Sequence, residues 1–574
     1  MQQDAETPRD VEAGSGGTTQ GTERTNRRSI LQVRNLEVSF GPASSPVLHN
    51  VSFDLRAGER VAIVGQSGSG KSTTIGAILR LLPGSGRISK GQILLDGDDL
   101  AAMSESRMRS IRGRRIGLVP QDPMSNLNPS MKVGAQIADA LAANGLRGGA
   151  DIKRRTVELM SEAGIPDAQR RYGQYPHEFS GGMRQRVLIA IALAGEPELL
   201  IADEPTSALD VTVQRQILNH LQTLVDARGT SLLFVTHDLG LAADRTDRII
   251  VMSEGRIVEV GTPAQILLAP QEEYTQRLVA AAPSVAATAA ATVAPSSSVP
   301  AAVLNTGAPR QVAVEPILCV RNLRKEFRLR GQRGSLVTAV DDVSFTVARG
   351  TTTAIVGESG SGKTTVARMI LGLENPTGGE ALIEGKSITG SNASDRRGLR
   401  RRVQPVFQDP YGSLDPTFSI ERLIDEPLRI FKVGGKQSRL QRVAELLDQV
   451  ALPRTVAQRR PNELSGGQRQ RVAIARALAL EPELIICDEA VSALDVLVQD
   501  QILSLLADLQ QRLGLTYLFI THDLAVVRQI AHNVVVMKSG KVIENGDVDQ
   551  VFLAPQDDYT KELLGAIPGA AFAS

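Results

Sequence analysis

The chain has 574 residues, 42% hydrophobic and 22% charged, and its 64 basic against 63 acidic side chains leave a formal net charge of +1. At about 150 residues per folding unit, that length calls for several domains rather than one core. The balanced charge lacks the basic excess of a nucleic-acid binder, and Cys319 and Cys487 are too few and too far apart for a disulfide framework or a cysteine metal site.

Residues 1–29 are polar and Gly/Thr-rich and are expected to be disordered; the acidic start lacks the apolar core of a signal peptide. The apolar run RVAIVG then reads as a buried strand leading into a glycine loop and a segment of helical period, STTIGAILRLL. Gly65 to Ser72 fit G-x-x-x-x-G-K-[ST] in that strand-to-helix context. Gly65, Ser67, Gly68 and Gly70 let backbone amides turn toward phosphate oxygens, Lys71 reaches the outer phosphates, Ser72 is placed for Mg²⁺, and Thr73 follows on the opening helical turn. Residues of about 120–180 are mainly helical in pattern and read as an inserted helical subdomain.

Further along, ELLIADE and SLLFVTHD are short apolar runs with polar ends, as buried parallel strands have. Asp203 at such a tip can hold the Mg²⁺ shell, and Glu204 beside it can orient or deprotonate a water. His237 sits at a third strand end, where it can hydrogen-bond a terminal phosphate; His49, His177, His220 and His532 lack an equivalent context and read as structural or solvent-facing. Between Arg277 and Arg310 lie 32 uncharged residues. Their Ala/Ser/Thr content, with Pro283, Pro295, Pro300 and Pro309, fits a flexible linker rather than a membrane span. A tether of about 35 residues spans about 30–35 Å, short enough to make pairing of its flanks intramolecular.

The same plan then returns about 290 residues later. Gly357, Ser359, Gly360, Gly362, Lys363, Thr364 and Thr365 form the second phosphate loop, with Asp488, Glu489 and His522 in the matching later positions and helical patterns at about 410–465. Five domains are expected: a disordered 1–29, a nucleotide-binding unit 30–279, a linker 280–314, a second unit 315–565 and a tail 566–574.

One repeated stretch, HEFSGGMRQR at 177–186 and NELSGGQRQR at 462–471, stands far from either glycine loop. In order, the phosphate loop, Gln121 or Gln408, the Ser-Gly-Gly stretch, the Asp-Glu pair, the Ser-Ala-Leu-Asp run and the histidine resemble the nucleotide-binding domain of ATP-binding cassette (ABC) proteins, over 30–279 and 317–565. The resemblance implies an α/β fold of two P-loop NTPase (RecA-like) domains, each with a helical subdomain, packed head to tail as a pseudo-dimer in one chain. It further implies two composite ATP sites. The first joins Gly65–Ser72, Gln121, Asp203, Glu204 and His237 to Ser465, Gly466, Gly467 and Gln468; the second joins Gly357–Thr364, Gln408, Asp488, Glu489 and His522 to Ser180, Gly181, Gly182 and Met183. ATP and Mg²⁺ are the implied ligands, with Ser72, Gln121, Asp203, Thr364, Gln408 and Asp488 around the metal and Phe40 and Phe327 stacking on adenine. Both sites keep the glutamate and histidine, so both are expected to hydrolyse.

The wording of the two halves resembles the first and second ATPases of dipeptide, oligopeptide and nickel importers, here fused. That implies an ATPase on the cytoplasmic face of the membrane, working with two transmembrane permeases and an extracytoplasmic substrate-binding protein to import peptides, with glutathione, nickel or haem as alternatives. Two departures stand out: Glu272-Glu273 and Asp557-Asp558 replace the subfamily's His-Pro before Tyr274 and Tyr559, and the cysteine cluster that many relatives carry is missing, so no iron–sulfur centre is expected. A rival reading is a soluble tandem cassette acting on ribosomes or DNA through RGRR (112–115) and RRGLRRR (396–402). Both stretches precede the glutamine motif at matching positions and read as a solvated face, so no nucleic acid is expected as partner.

Overall fold

The computed structural model describes residues 28–41, 45–206, 209–282, 316–328, 336–388, 393–492 and 494–569. The stretch expected to be disordered before residue 28 and most of the expected linker lie outside them.

Each half is built on a six-stranded sheet. In the first half the strand order is Arg256–Gly261, Arg248–Ser253, Arg60–Val64, Ser231–Thr236, Leu199–Asp203 and Ile116–Val119. All neighbours run parallel except the outermost Arg256–Gly261. Helices cover one face, and helix Lys71–Ile78 with the antiparallel strands covers the other, so the strands read as unbroken apolar runs: Val61, Ala62, Ile63, Val64, Leu199, Leu200, Ile201 and Ala202 are fully buried. The second half repeats the order with Lys541–Asp547, Asn533–Lys538, Thr352–Val356, Thr516–Ile520, Leu484–Asp488 and Val403–Val406. Cys487 lies fully buried within its strand and its thiol is pushed up to about 12 by burial. A four-stranded antiparallel sheet flanks each core, led by Ser29–Phe40 and Pro316–Arg328.

The expected helical subdomains are present, with Val133–Ala143, Gly149–Glu162 and Gly181–Leu193 in the first half. Ile420–Ile430, Lys436–Gln449 and Gly466–Leu478 are their counterparts. Each signature serine caps its helix: Ser180 Oγ accepts from Met183 N–H and Ser465 Oγ accepts from Gln468 N–H, both at 3.3 Å. Only Gln468 returns the bond, its Oε1 accepting from Ser465 N–H at 3.1 Å; a thioether at Met183 has no such oxygen. The second signature glycines allow the helix to seat, because a Cβ at Gly182 or Gly467 would come within 2.7 or 2.4 Å of Val213 or Val498 Cγ1.

The halves touch. Val496 and Leu497 of the second half pack on the first-half core beside Tyr274 and Val279. Arg215 Nη1 donates to the Gly565 carbonyl at 2.6 Å, and Gly569 N–H donates to Asp244 Oδ2 at 2.8 Å.

The strand carrying each Asp-Glu pair is clamped at its start. Arg115 Nε and Nη2 donate to both oxygens of Glu198 at 3.0 and 3.1 Å, and Arg402 holds Glu483 in the same two-pronged way, joined by Arg349. Hydrogen bonding to Arg402 holds the Glu483 carboxyl down at about 2. A depressed folded value contributes stability above the ordinary carboxylate range and loses it as pH falls toward 2. Glu483→Gln should therefore flatten the acid limb of the unfolding midpoint between about pH 4 and pH 2, read by thermal melts across that window. Met183→Gln, which allows the reciprocal cap, should stabilise the first signature helix by about 0.5–1 kcal/mol, and Gln468→Met should lose a similar amount, both measured by denaturant unfolding.

Candidate functional site

The site forms where neighbouring parallel strands end together. In the first half Val64 pairs with Thr236 and Asp203 with Val235, so the phosphate loop, the Asp-Glu pair and the histidine all leave the sheet at one edge. The loop presses so closely on the adjacent strand that a Cβ at Gly65 would stand 2.2 Å from the Met252 carbonyl oxygen; at Gly357 the Met537 oxygen would be 2.1 Å away. Gly70 and Gly362 open their helices at φ +103°, a left-handed backbone that favours glycine. Ser67, Gly68 and Ser72, like Ser359, Gly360 and Thr364, face solvent, while Lys71 and Lys363 are buried. Thr73 and Thr365 are half-buried on the next turn. Each lysine ammonium folds back on its loop, Lys71 Nζ donating to the Gly65 and Gln66 carbonyls and Lys363 Nζ to those of Gly357 and Glu358.

Glu204 and Glu489 carry positive φ, +42° and +48°, a conformation that costs energy for a residue with a side chain. It is held in place by partners on both sides. His237 Nδ1 lies 3.2 Å from Glu204 Oε1 and Gln121 Nε2 donates to Glu204 Oε2 at 3.0 Å; His522 and Gln408 stand at 3.4 and 2.7 Å from Glu489. Burial opposes charge on His237 and His522, but hydrogen bonding and charge attraction to the glutamates and the next aspartate together outweigh it and hold both imidazoles above their usual range. Burial would raise Glu204 and Glu489, yet the histidines and the loop lysines pull both down. Both shifts favour charge on the two partners. Burial, then the neighbouring glutamate, push Asp203 up to about 6 and raise Asp488 in the same way.

The structure thus gathers Gln121, Asp203, Glu204, His237 and Lys71 at one place and their five counterparts at another. Across the halves it brings Asp495 near Lys71 and Asp210 near Lys363, where each acid favours the charged ammonium. One cavity of about 130 Å³ is lined from both halves, by Glu204, His237 and Asp238 on one side and Ser492, His522 and Asp523 on the other. The sequence assigns no role to Asp210 and Asp495; their only signal is that the repeated Ser-Ala-Leu-Asp run ends on them. Ser180 and Ser465 are exposed, and their hydroxyls bond their own helices rather than the opposite phosphate loop. The two aromatics differ. Phe40 packs on the core, so close to Gly86 that a Cβ there would lie 2.7 Å from its ring, whereas Phe327 is 40% exposed with Lys325 Nζ 5.0 Å above its ring.

Two segments, residues 48–207 and 340–492, match the ABC transporter family model. The chain is 44% identical over 570 residues to the glutathione import ATP-binding protein GsiA of Salmonella typhimurium, covering 96% of this chain and 91% of the relative. It is 44% identical over 551 residues to the peptidoglycan transport ATP-binding protein YejF of Agrobacterium fabrum, covering 94% and 97%. The chain belongs to the ABC transporter family and is a tandem ATPase in which two cassette domains share one polypeptide.

Proposed function

We propose that this ATPase energises the import of short peptides from the cytoplasmic face of the membrane, through ATP bound and hydrolysed at two composite sites. Glutathione, itself a tripeptide, falls in this class, and the named roles of the relatives support the class. The observation that carries the hydrolytic reading is the glutamate fixed between Gln121 and His237, and again between Gln408 and His522, beside a lysine-bearing phosphate loop. Held as a carboxylate, Glu204 or Glu489 takes a proton from the attacking water. The histidine keeps that carboxylate oriented and meets the terminal phosphate, and Lys71 or Lys363 neutralises charge on the outer phosphates.

The residues present suit Mg²⁺. Asp488 Oδ1 is buried with no hydrogen-bond partner among the described residues, and the exposed Thr364 hydroxyl lies beside that aspartate. The Ser72 hydroxyl likewise stands beside Asp203. Hydroxyl, carboxylate and amide oxygens are the hard donors the ion prefers, with Gln121 and Gln408 completing the set. When bound, the ion offsets charge on the phosphates.

Closure follows from the same layout. Asp495 and Asp210 already act by charge on the lysines of the opposite phosphate loops, and the signature helices at Ser465 and Ser180 supply the remaining amides when nucleotide draws the halves together. No helix among the described residues is long and apolar enough to cross a membrane. The relatives are named as import and transport ATP-binding proteins, which supports permease partners in the membrane. A groove of about 770 Å³ beside Gln408, lined by Leu373, Ile388, Phe407, Pro427, Ile430 and Phe431, suits an apolar helix of a permease. Movement of Gln408 against Glu489 would be felt there. An extracytoplasmic binding protein delivers the solute to such permeases.

Glu204→Gln with Glu489→Gln should cut steady-state phosphate release by about 10²–10³-fold while equilibrium ATP binding persists. Turnover near the parent's in the double variant would remove the general-base assignment. For the solute, the intact complex co-purified with its permeases should show ATPase stimulation by di- and oligopeptides or glutathione, and none by nickel chelates or haem.

A further inference from the structure

The repeated Leu-Ala-Pro-x-x-x-Tyr-Thr run has no part in the chemistry above, yet it makes the same contact in both halves. Tyr274 Oη accepts a hydrogen bond from Gln66 N–H at 3.1 Å across a separation of 208 residues. Tyr559 Oη accepts one from Glu358 N–H at 3.1 Å across 201 residues. We propose that Tyr274 and Tyr559 are positioning residues of the nucleotide sites: each hydroxyl fastens the amide after the first glycine of its phosphate loop, keeping the following amides in the curve that receives phosphate. The proposal rests on the reading that these loops bind ATP.

Each loop is tied from two sides. From within, Lys71 Nζ donates to the Gly65 and Gln66 carbonyls at 2.6 and 3.0 Å, and Lys363 Nζ to those of Gly357 and Glu358 at 2.7 and 2.8 Å. A bound nucleotide draws the ammonium toward its outer phosphates and so releases the inner tie. The turn bonds from Ser69 and Ser361 N–H then hold the carbonyl of that residue, and the tyrosine is the tie on its N–H. Without it, a half-buried N–H loses its acceptor just when the loop must hold its curve.

The tyrosines are themselves fixed points. Glu259 accepts from Gln271 and Glu272 N–H at 2.9 and 3.2 Å, and Glu544 does the same for Gln556 and Asp557, which pins the turn ahead of each ring. Asp557 Oδ1 also accepts from Tyr559 N–H at 2.8 Å, giving a task to an acid where the importer subfamily has histidine. Burial raises both phenols, Tyr559 to about 12, so the hydroxyls stay neutral and accept through a lone pair. Their helices are braced on the opposite half: Glu273–Ala281 packs against Val496–Leu513, and Asp558–Leu564 ends at Gly565, which Arg215 holds. Each phosphate loop is therefore linked to the interface between the halves.

The test uses the full chain in the Glu204→Gln, Glu489→Gln background, with ATP and Mg²⁺ as the probe. Tyr274→Phe with Tyr559→Phe removes only the hydroxyls and should weaken the Kd for ATP by about three- to tenfold. The nucleotide-free melting temperature should fall by no more than about 1–3 °C. In the otherwise unmodified chain the same pair should raise KM for ATP and leave kcat within about twofold, a split that lost packing alone would not give. Lys71→Ala with Lys363→Ala is the reference. If the lysine variant binds ATP like its parent, the ATP-site reading itself fails. If the lysine variant loses binding while the phenylalanine variant keeps the parent Kd and KM, the tyrosine proposal is overturned.

Discussion

The register of neighbouring parallel strands is the constraint on which the rest of this molecule depends. Because Val64 ends beside Thr236 and Asp203 beside Val235, groups separated by well over a hundred residues leave the sheet at one edge. Parallel hydrogen bonding leaves little freedom here. A shift of one residue would turn the Asp203 side chain to the other face and send Glu204 away from His237. The apolar runs resist that shift, since every residue from Leu199 to Ala202 is fully buried. The positive φ at Glu204 and Glu489 is tolerated for the same reason: the strand is clamped at its start by Arg115 or Arg402, and the glutamate's own N–H donates to the Val235 or Ile520 carbonyl.

Duplication turns this single-sheet device into a two-site machine. Neither half is closed off toward the other: Asp495 contributes to the field at Lys71, and Asp210 to that at Lys363. The carboxyl-terminal segment folds back on the first half through Gly565 and Gly569, so the covalent chain is not the only bond between them. Nucleotide phosphates bring negative charge to loops whose lysines are already buried and partly satisfied by backbone carbonyls. On the proposed reading of these loops, binding would reorganise Lys71 and Lys363, which makes the outer anchorage of the loop matter.

Much of this was legible in the sequence wherever chemistry is local. The phosphate loops, the Asp-Glu tips and the histidines each occupy a strand-to-loop transition, where a few contiguous residues dictate geometry. What pairs them was less visible. Nothing in the spacing shows that Gln121 bonds Glu204 across 83 residues, or that Gln408 repeats it with Glu489. The aromatics show the opposite difficulty: Phe40 and Phe327 look alike in sequence, but packing over Gly86 draws one into the core, while the other stays 40% exposed under Lys325. The acids of the Ser-Ala-Leu-Asp runs were visible as letters, while their role depends on a partner surface that only the assembled halves supply.

The two halves are not chemically equal, and their differences fall on the same side. In the composite arrangement proposed above, the second phosphate loop would meet the first signature. That pairing sets Glu358 near Asp210, and burial followed by that like charge raises the Glu358 carboxyl. The Thr212 hydroxyl stands close by and offsets part of that shift. Its signature helix, moreover, carries Met183 and only one capping bond. The other pairing sets neutral Gln66 near Asp495 and uses a signature helix with the reciprocal cap of Gln468. Like charges across an interface cost energy, and a single cap orders a helix end less firmly than two. In the proposed composite arrangement both effects act against closure at the second site and neither acts at the first, so the two proposed sites would close with unequal ease.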